Sequence, residues 1–362
     1  MTNPTLVDLG VEGTELGAPS AATYLPEPRG SRIGRAAVAR YYAEREGRDV
    51  ISPDRLVLTA STSESYAHLF RLLCNPGDNV LVPAPSYPLF EPLARLEGVE
   101  AREYRLRLGP DGWFVDLASL EEAAGPRSRA ILLVQPNNPT GSCVTPEDLV
   151  GIEAIAERRD LALVSDEVFG DFPWPPASDP LPSLLAGPRR VPTFVLGGIS
   201  KLSGLPQMKL GWIAVTGPDP GVGRALEGLE WIADLFLSTS APIEAALPDF
   251  LHRRVPFGAA VRGRLAANLG LLRDVASLAP FTLLEAEGGW SAVLRLGGRE
   301  DLSDEDADTA SGPDPAEELL EREGILVHPG HFYGLSDLHL VLSLIVEPSV
   351  LEAALARWEA TW

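Results

Sequence analysis

Residues 193–201 read TFVLGGISK, an apolar run that ends in two glycines just before Ser200 and Lys201. Two earlier stretches follow the same design, since residues 161–167 read LALVSDE and residues 130–138 read AILLVQPNN. Continuous apolar runs of this length are typical of strands buried in a parallel sheet. The carboxyl ends of such strands form the ligand crevice of an open α/β sheet. The polar residues after each run are therefore expected to meet at one site.

The chain before these stretches also alternates between strand and helix patterns. Residues 55–59 (RLVLT) predict a strand, and residues 61–64 (STSE) form a capping box that starts a helix. A second strand over residues 79–85 leads into a turn at residues 86–88 (SYP). The alternation favours an α/β fold with a mostly parallel sheet.

The last third of the chain reads differently. A long helical pattern starts near residue 226, and short strands and helices then follow to the end of the chain. We therefore predict an N-terminal segment (residues 1–40) that packs with a small domain. A large domain covers residues 41–245, and the small C-terminal domain covers residues 246–362.

Composition narrows the possible partners. The 362 residues carry 51 acidic and 30 basic side chains, a formal net charge of −21. Such a charge disfavours nucleic acid and anionic membranes, so a small-molecule partner is expected. No run is long enough to span a bilayer, and the start lacks a signal-peptide pattern, which predicts a cytoplasmic protein. The two cysteines have no partner spacing that would suggest a disulfide framework or a metal site.

Lysine is nearly absent from the sequence. Of the 30 basic residues 28 are arginine, and the two lysines are Lys201 and Lys209. Biased composition explains the loss of ordinary surface lysines. A lysine that remains where arginine has replaced the others indicates chemistry that needs a primary amine, because a guanidinium cannot form a Schiff base.

Residues 198–211 (GISKLSGLPQMKLG) resemble the lysine signature of class I/II aminotransferases, which are pyridoxal 5'-phosphate (PLP) enzymes of fold type I. Further stretches resemble the family in the same order along the chain: YLPEPRG (24–30), PGD (76–78), PSYP (85–88), NNPTG (137–141) and DEVF (166–169). The resemblance implies an α/β fold of the fold type I PLP-dependent transferases. In that fold a large domain with a mixed, mostly parallel sheet carries a smaller α+β domain.

The resemblance also implies roles for individual residues. Lys201 is similar to the lysine that holds PLP as a Schiff base and moves a proton between the substrate carbon and the cofactor. Asp166 matches the aspartate that pairs with the pyridine nitrogen. Asn138 matches the asparagine at the phenolic oxygen, and Tyr87 matches the aromatic residue that stacks on the ring.

The implied phosphate site combines a helix start with hydroxyl and cationic groups. Ser61 and Thr62 open a capped helix, whose free N–H groups favour an anion. Ser200 adds a hydroxyl, and Lys209 stands where the family commonly has an arginine. Tyr24 matches a tyrosine that reaches the neighbouring subunit's phosphate in many relatives, which implies a homodimer.

Two departures from the family bear on the substrate and the cofactor. Phe169 replaces a tyrosine that commonly donates to the phenolic oxygen. Val341 replaces an arginine that commonly binds the substrate carboxylate. The substrate therefore either lacks a carboxylate at that place or is held by another group, with Arg295 the first candidate and His339 or His331 the next.

The predicted function is transfer of an amino group between a small amine or amino acid and a keto or aldehyde acceptor. One alternative is another fold type I reaction in specialised biosynthesis, such as β- or γ-elimination, replacement or cyclisation, because the cofactor-binding residues serve all of these reactions. Another is a PLP-sensing transcription regulator, which the negative charge and the short segment before Tyr24 disfavour.

Overall fold

The computed structural model describes residues 26–110, 112–177, 179–297 and 314–360. The helices are α1 (Arg32–Glu46), α2 (Thr62–Leu73), α3 (Phe90–Leu96), α4 (Leu117–Ala123), α5 (Pro146–Arg159), α6 (Ile199–Leu202), α7 (Gly221–Phe236), α8 (Ala241–Ala276), α9 (Pro315–Glu323) and α10 (Pro348–Glu359). The strands are β1 (Leu56–Thr59), β2 (Asn79–Ala84), β3 (Glu100–Gly109), β4 (Gly112–Val115), β5 (Ser128–Val134), β6 (Ala162–Asp166), β7 (Thr193–Gly198), β8 (Gly211–Thr216), β9 (Phe281–Leu284), β10 (Ser291–Leu296), β11 (His328–Pro329) and β12 (His339–Ser343).

The first eight strands form one sheet in the order β1-β8-β7-β6-β5-β2-β3-β4. β2, β3, β5, β6 and β7 are parallel, while β8 is antiparallel to both of its neighbours and β4 is antiparallel to β3. The sheet is therefore mixed and mostly parallel, which confirms the predicted fold class. Its strand order reverses between β5 and β2, where an open α/β sheet usually places its ligand crevice.

Helices cover both faces of this sheet, because successive side chains of a strand point to opposite faces. In β7, Val195 packs in the layer of α1, α5 and the start of α8, whereas Phe194 and Leu196 pack in the layer of α2 and α7. Both faces of β7 are buried. Its apolar run in the sequence is therefore continuous and does not alternate.

The last four strands form an antiparallel sheet in the order β11-β12-β10-β9. Ala292 and Leu294 of β10 pack against α8, α9 and α10 in one cluster. Val293, on the opposite face, joins Val341 and Trp113 in a small cluster that bridges this sheet and the β3–β4 hairpin of the large sheet. This contact holds the small sheet against the large sheet, beside the carboxyl ends of the large sheet's parallel strands.

The 36-residue helix α8 contacts α1, α6, β9 and α10 and so runs between the two sheets. The predicted boundary after residue 245 falls inside this helix, and the division into domains stays a prediction. The helical pattern predicted from residue 226 onward is interrupted at Leu237, whose positive φ ends α7. Among the described residues, no helix is both long and apolar enough to cross a membrane.

Candidate active site

Most of the predicted site residues follow directly after strands of the large sheet. The segments after β1, β2, β5 and β7 carry, in that order, Ser61, Tyr87, Asn138 and Lys201, and Asp166 is the last residue of β6. The strand ends are joined by side chains: the Gln135 amide donates to Ser165 Oγ at 3.0 Å, and Ser86 Oγ donates to Asn137 Oδ1 at 2.9 Å. These bonds fix β2, β5 and β6 relative to one another at the edge that carries the site.

Asp166 closes β6 and is held by two donors. The Val168 N–H donates to Oδ1 at 3.1 Å, and the hydroxyl of Tyr66 on α2 donates to Oδ2 at 3.0 Å. Burial raises the pKa of the Asp166 carboxyl to about 6, while these two donors and the charge of Lys201 lower it. A carboxylate in such a place favours a cationic partner, because a positive charge offsets the cost of burying a negative one.

Lys201 lies on the single turn of α6, which begins directly after Gly198 of β7. Its Nζ lies 5.7 Å from the ring centroid of Phe169 and 5.4 Å from that of Trp290. The two rings contact each other edge to face, with centroids 5.4 Å apart. We refer to Phe169 and Trp290 as the aromatic wall. It places an apolar surface beside the amine and limits the access of water to it.

Asn138 and Tyr87 lie on neighbouring strand ends. Ser291, the first residue of β10, has its Oγ 3.3 Å from Asn138 Oδ1, which links the small sheet to the site. Tyr87 is 46% exposed, and the residue before it, Ser86, donates its N–H to the carbonyl of Tyr333 at 2.9 Å. Tyr87 therefore lies on a turn that is bonded to the connection between β11 and β12.

Ser61 caps the start of α2 as predicted, but the Glu64 side chain binds the residue before the cap and so does not complete a capping box. Ser61 Oγ accepts from the Glu64 N–H at 3.2 Å, and the Glu64 carboxylate accepts from the Ala60 N–H at 2.5 Å. Gly211 of β8 packs against this start. A side chain at Gly211 would come within 3.0 Å of the Ser61 backbone, so the glycine allows the close approach. Ser61 and Thr62 are partly buried at the helix N-terminus.

Ser200 and Lys209 lie near the two ends of the connection between β7 and β8. Lys209 is exposed and follows the short 3-10 turn Pro206–Met208, with φ 55° in the left-handed region. A residue with a Cβ is strained in this conformation, and such strain is often kept where the side chain has a function. Ser200 is partly buried next to Lys201.

Two of the predicted substrate residues, Arg295 and His339, lie at the far end of their strands from Ser291, which contacts Asn138. Arg295 pairs directly with His339 across β10 and β12, whereas Ser291 pairs with Ser343 at the other end of the strands. Four residues of strand correspond to about 13 Å. Anchoring of a substrate by Arg295 or His339 stays a prediction. Tyr24 lies outside the described residues.

Sequence reasoning missed three residues that contact the predicted site. The bond from Tyr66 to Asp166 joins residues 100 positions apart. Trp290 and Ser291, at the start of β10, approach Lys201 and Asn138 from the small sheet. No local pattern marks them, because their position depends on how the two sheets pack.

The profile of the family "Aminotransferase class I and II" matches residues 5–357 of the chain. The chain belongs to this family of PLP-dependent enzymes. It is 32% identical to the Escherichia coli glutamate-pyruvate aminotransferase AlaA over 238 residues, which cover 64% of this chain and 56% of that protein. The chain thus spans little more than half the length of this relative.

Two further comparisons cover more of the chain. It is 29% identical to the Arabidopsis thaliana S-alkyl-thiohydroximate lyase SUR1 over 332 residues, which are 89% of this chain and 69% of that protein. A crystal structure of tyrosine aminotransferase from Leishmania infantum superposes with a TM-score of 0.81 at 22% identity, covering 98% of this chain and 85% of that one. This structural likeness confirms the fold.

The residues present fit PLP. A primary amine at Lys201 and a partly buried carboxylate at Asp166 influence each other electrostatically at one edge of the sheet. The capped start of α2 and the cationic Lys209 supply groups suited to a phosphate. PLP carries an aldehyde, a basic ring nitrogen and a phosphate. The Lys201 amine suits the aldehyde, the Asp166 carboxylate suits the ring nitrogen, and the start of α2 with Lys209 suits the phosphate.

Proposed function

We propose that the protein is a PLP-dependent aminotransferase that moves an amino group between a small amine or amino acid and a keto or aldehyde acceptor. The observation that carries the proposal is the position of Asp166 at the end of β6 and of Lys201 just after the neighbouring β7, at the carboxyl edge of the sheet. Family membership supports it. A role in biosynthesis and a cytoplasmic location, which we predicted from the sequence, belong to the same proposal.

PLP supplies a ring that withdraws electrons from the substrate carbon bearing the amino group. In this proposal the Lys201 amine holds the cofactor at its aldehyde carbon and then carries a proton to and from the substrate carbon. Asp166 keeps a proton on the ring nitrogen, since its buried carboxylate is stabilised by a cation. Asn138 and Tyr87 orient the ring, and the aromatic wall excludes water from the Lys201 amine.

Ser61, Thr62, Ser200 and Lys209 would bind the phosphate. The N-terminus of α2 offers backbone donors and a favourable dipole. Lys209 contributes a point charge and not the two-pronged contact of an arginine. The phosphate site proposed here therefore relies on backbone geometry more than on a bidentate cation.

A single-turnover measurement tests the reaction type. The PLP-loaded enzyme is mixed with an amino donor such as alanine or glutamate, without an acceptor, and the keto product is counted per active site. An aminotransferase stops after one equivalent, because the amino group stays on the enzyme, and resumes when a keto acid is added. Continued release of keto acid and ammonia without an acceptor would contradict transamination.

Elimination is the second candidate, and the match to the Arabidopsis lyase over 89% of the chain favours it. A lyase breaks a carbon–sulfur or similar bond and returns the cofactor to its starting state. With an S-alkyl cysteine as donor, a lyase would release thiol, keto acid and ammonia in equal amounts over many turnovers. The same single-turnover experiment therefore separates the two candidates.

We propose further that the active unit is a homodimer. The end of α7 exposes four large apolar side chains within seven residues: Trp231 (74% exposed), Leu235 (77%), Phe236 and Leu237. We refer to these four as the α7 patch. Trp231 and Leu235 are four residues apart and so share one face of the helix. An exposed apolar patch of this kind is typical of an interaction surface. We propose that a second copy of the chain binds to it.

The register of β10 against β12 bears on how a substrate would be anchored. Arg295 and His339 face each other about 13 Å along the strand from Ser291. A group bound there would be distant from the carbon that reacts beside Lys201. We therefore propose that Arg295, assisted by His339, binds the far end of a long substrate and not a carboxylate next to the reacting carbon.

A further inference from the structure

Tyr66 makes a contact that the proposed function does not use. It lies on α2, is 1% exposed, and donates its hydroxyl to Oδ2 of Asp166 at 3.0 Å. We propose that Tyr66 is a positioning residue that fixes the orientation of the Asp166 carboxylate toward the ring nitrogen of the cofactor. This inference rests on the proposed function.

Two donors from different elements are needed to fix a carboxylate. The terminal torsion of an aspartate is broad, so a single hydrogen bond leaves the group free to rotate. The Val168 N–H holds Oδ1 from the turn that follows β6, and Tyr66 holds Oδ2 from a helix on the sheet face. Together they define the plane of the carboxylate and leave its remaining lone pairs for the cofactor.

The hydroxyl of Tyr66 is itself well positioned. Its ring packs edge to face on Phe90, with centroids 5.4 Å apart, and lies 6.1 Å from Phe70. Tyr66 is four residues after Thr62, so the two side chains lie on the same face of α2, about 6 Å apart along its axis. One helix thus carries both the proposed phosphate-binding end and the partner of the carboxylate that binds the ring.

The charged and titratable groups around Asp166 come from several elements. Tyr66 on α2 and Lys201 on α6 both favour the ionised carboxylate and lower its pKa against the effect of burial. Tyr104 on β3 is near Tyr66 but donates its own hydroxyl to the Leu132 carbonyl at 2.8 Å. Glu167, next to Asp166, lies 3.8 Å from Arg45 of α1 instead. Tyr66 is therefore the side chain that donates a hydrogen bond directly to this carboxylate.

The test compares Tyr66→Phe with Tyr104→Phe, which also removes a buried hydroxyl and keeps the ring. Urea unfolding of the cofactor-free proteins is measured at pH 5 and pH 8. A bond to a carboxylate stabilises the fold mainly when the carboxylate is charged, and such bonds are the stronger ones. We expect Tyr66→Phe to lower the folding equilibrium constant about tenfold more at pH 8 than at pH 5. Tyr104→Phe should lower the folding equilibrium constant by the same factor at both pH values.

An Asp166→Asn background gives the matched control. In this background the effect of Tyr66→Phe on stability should no longer depend on pH, because the hydroxyl then has no ionisable carboxylate to donate to. Equal pH dependence of the two tyrosine variants, or an effect that persists without the Asp166 charge, would overturn the pairing.

Binding of PLP and of inorganic phosphate to the cofactor-free proteins separates the positioning role from the proposed function. Tyr66→Phe should weaken PLP about tenfold and leave inorganic phosphate unchanged, because the hydroxyl acts at the ring end of the site. Equal weakening of both ligands would mean that Tyr66 acts through the start of α2, and would overturn the positioning role. A wild-type protein that binds PLP without transferring amino groups would refute the proposed function alone.

Discussion

Arg295 lies directly opposite His339 in the pairing of β10 and β12, at the end of the strands remote from the Ser291–Ser343 pair. This register separates the first candidate for a substrate anchor from Asn138, which Ser291 contacts. Under the proposed function, Arg295 reaches the far end of a long substrate.

We predict that Arg295→Ala lowers kcat/KM for a long dicarboxylic amino donor about tenfold, the value of a lost charge-assisted bond. For alanine the change should stay below about twofold, because the short substrate does not reach Arg295. Arg273→Ala, which removes an exposed arginine paired with Glu285, is the control. An equal loss for both donors would place the anchor beside the reacting carbon.

The second prediction concerns the two lysines. Reduction of the PLP-loaded protein with borohydride should leave a stable phosphopyridoxyl group on Lys201, identified by peptide mass spectrometry. Lys209→Ala should keep the label at Lys201, and Lys201→Ala should remove it. A label on Lys209, or none on the wild type, would refute the assignment of Lys201.

Asp166 gives a prediction about stability and pH. Burial raises the pKa of its carboxyl to about 6 in the folded protein, above the usual value near 3.8. The folded state thus holds this proton more tightly than the unfolded state, and the contribution of Asp166 to stability falls as pH rises from about 4 to about 6. The cofactor-free Asp166→Asn variant should therefore match the wild type near pH 4 and exceed it at pH 8, by on the order of 3 kcal/mol.

Urea unfolding at both pH values measures this difference. The other acidic groups are the same in the two proteins, so their contributions to the free energy of unfolding cancel in the comparison. Adding PLP at pH 8 should make the wild type more stable than Asp166→Asn. A protonated ring nitrogen offsets the buried charge of Asp166, whereas a neutral asparagine amide gains no such interaction. Parallel stability curves of the two proteins over this pH range would contradict the raised pKa.

Lys209 combines backbone strain with a charge, and two substitutions separate them. Lys209→Gly removes both, so the cofactor-free protein should become more stable by about 1 kcal/mol while PLP binds more weakly. Lys209→Ala removes the charge and keeps the strain, so it should weaken PLP equally without the gain in stability. Unfolding curves and titration of the tryptophan fluorescence with PLP report the two quantities. Unchanged PLP affinity in both variants would exclude Lys209 from the phosphate site.

The α7 patch predicts the state of assembly. Trp231→Glu combined with Leu235→Glu should convert a dimer into monomers, because two carboxylates cannot be buried without partners. Leu278→Glu, at a side chain that is 79% exposed elsewhere, should leave the dimer intact. Sedimentation velocity at several concentrations distinguishes the outcomes. A dimer that survives the double substitution would mean that another surface joins the subunits.

The sequence by itself determined the fold class and the local framework of the site. The apolar runs of β5, β6 and β7 predict buried strands with polar residues at one edge, where Asp166 ends β6 and Asn138 and Lys201 follow β5 and β7. The N-cap at Ser61 is present as predicted, although Glu64 accepts from the Ala60 N–H and not from Ser61. These features could be predicted because they depend on periodicity and on contacts between residues close in the chain.

Only the tertiary structure decided which side chains surround these residues. The bond from Tyr66 to Asp166 joins positions 100 apart, and the contact of Ser291 with Asn138 joins positions 153 apart. The distance of Arg295 from the site follows from the register of β10 against β12. Such relationships depend on sheet order, helix packing and strand register, which arise from the burial of whole apolar faces and leave no mark at the individual residue in the sequence.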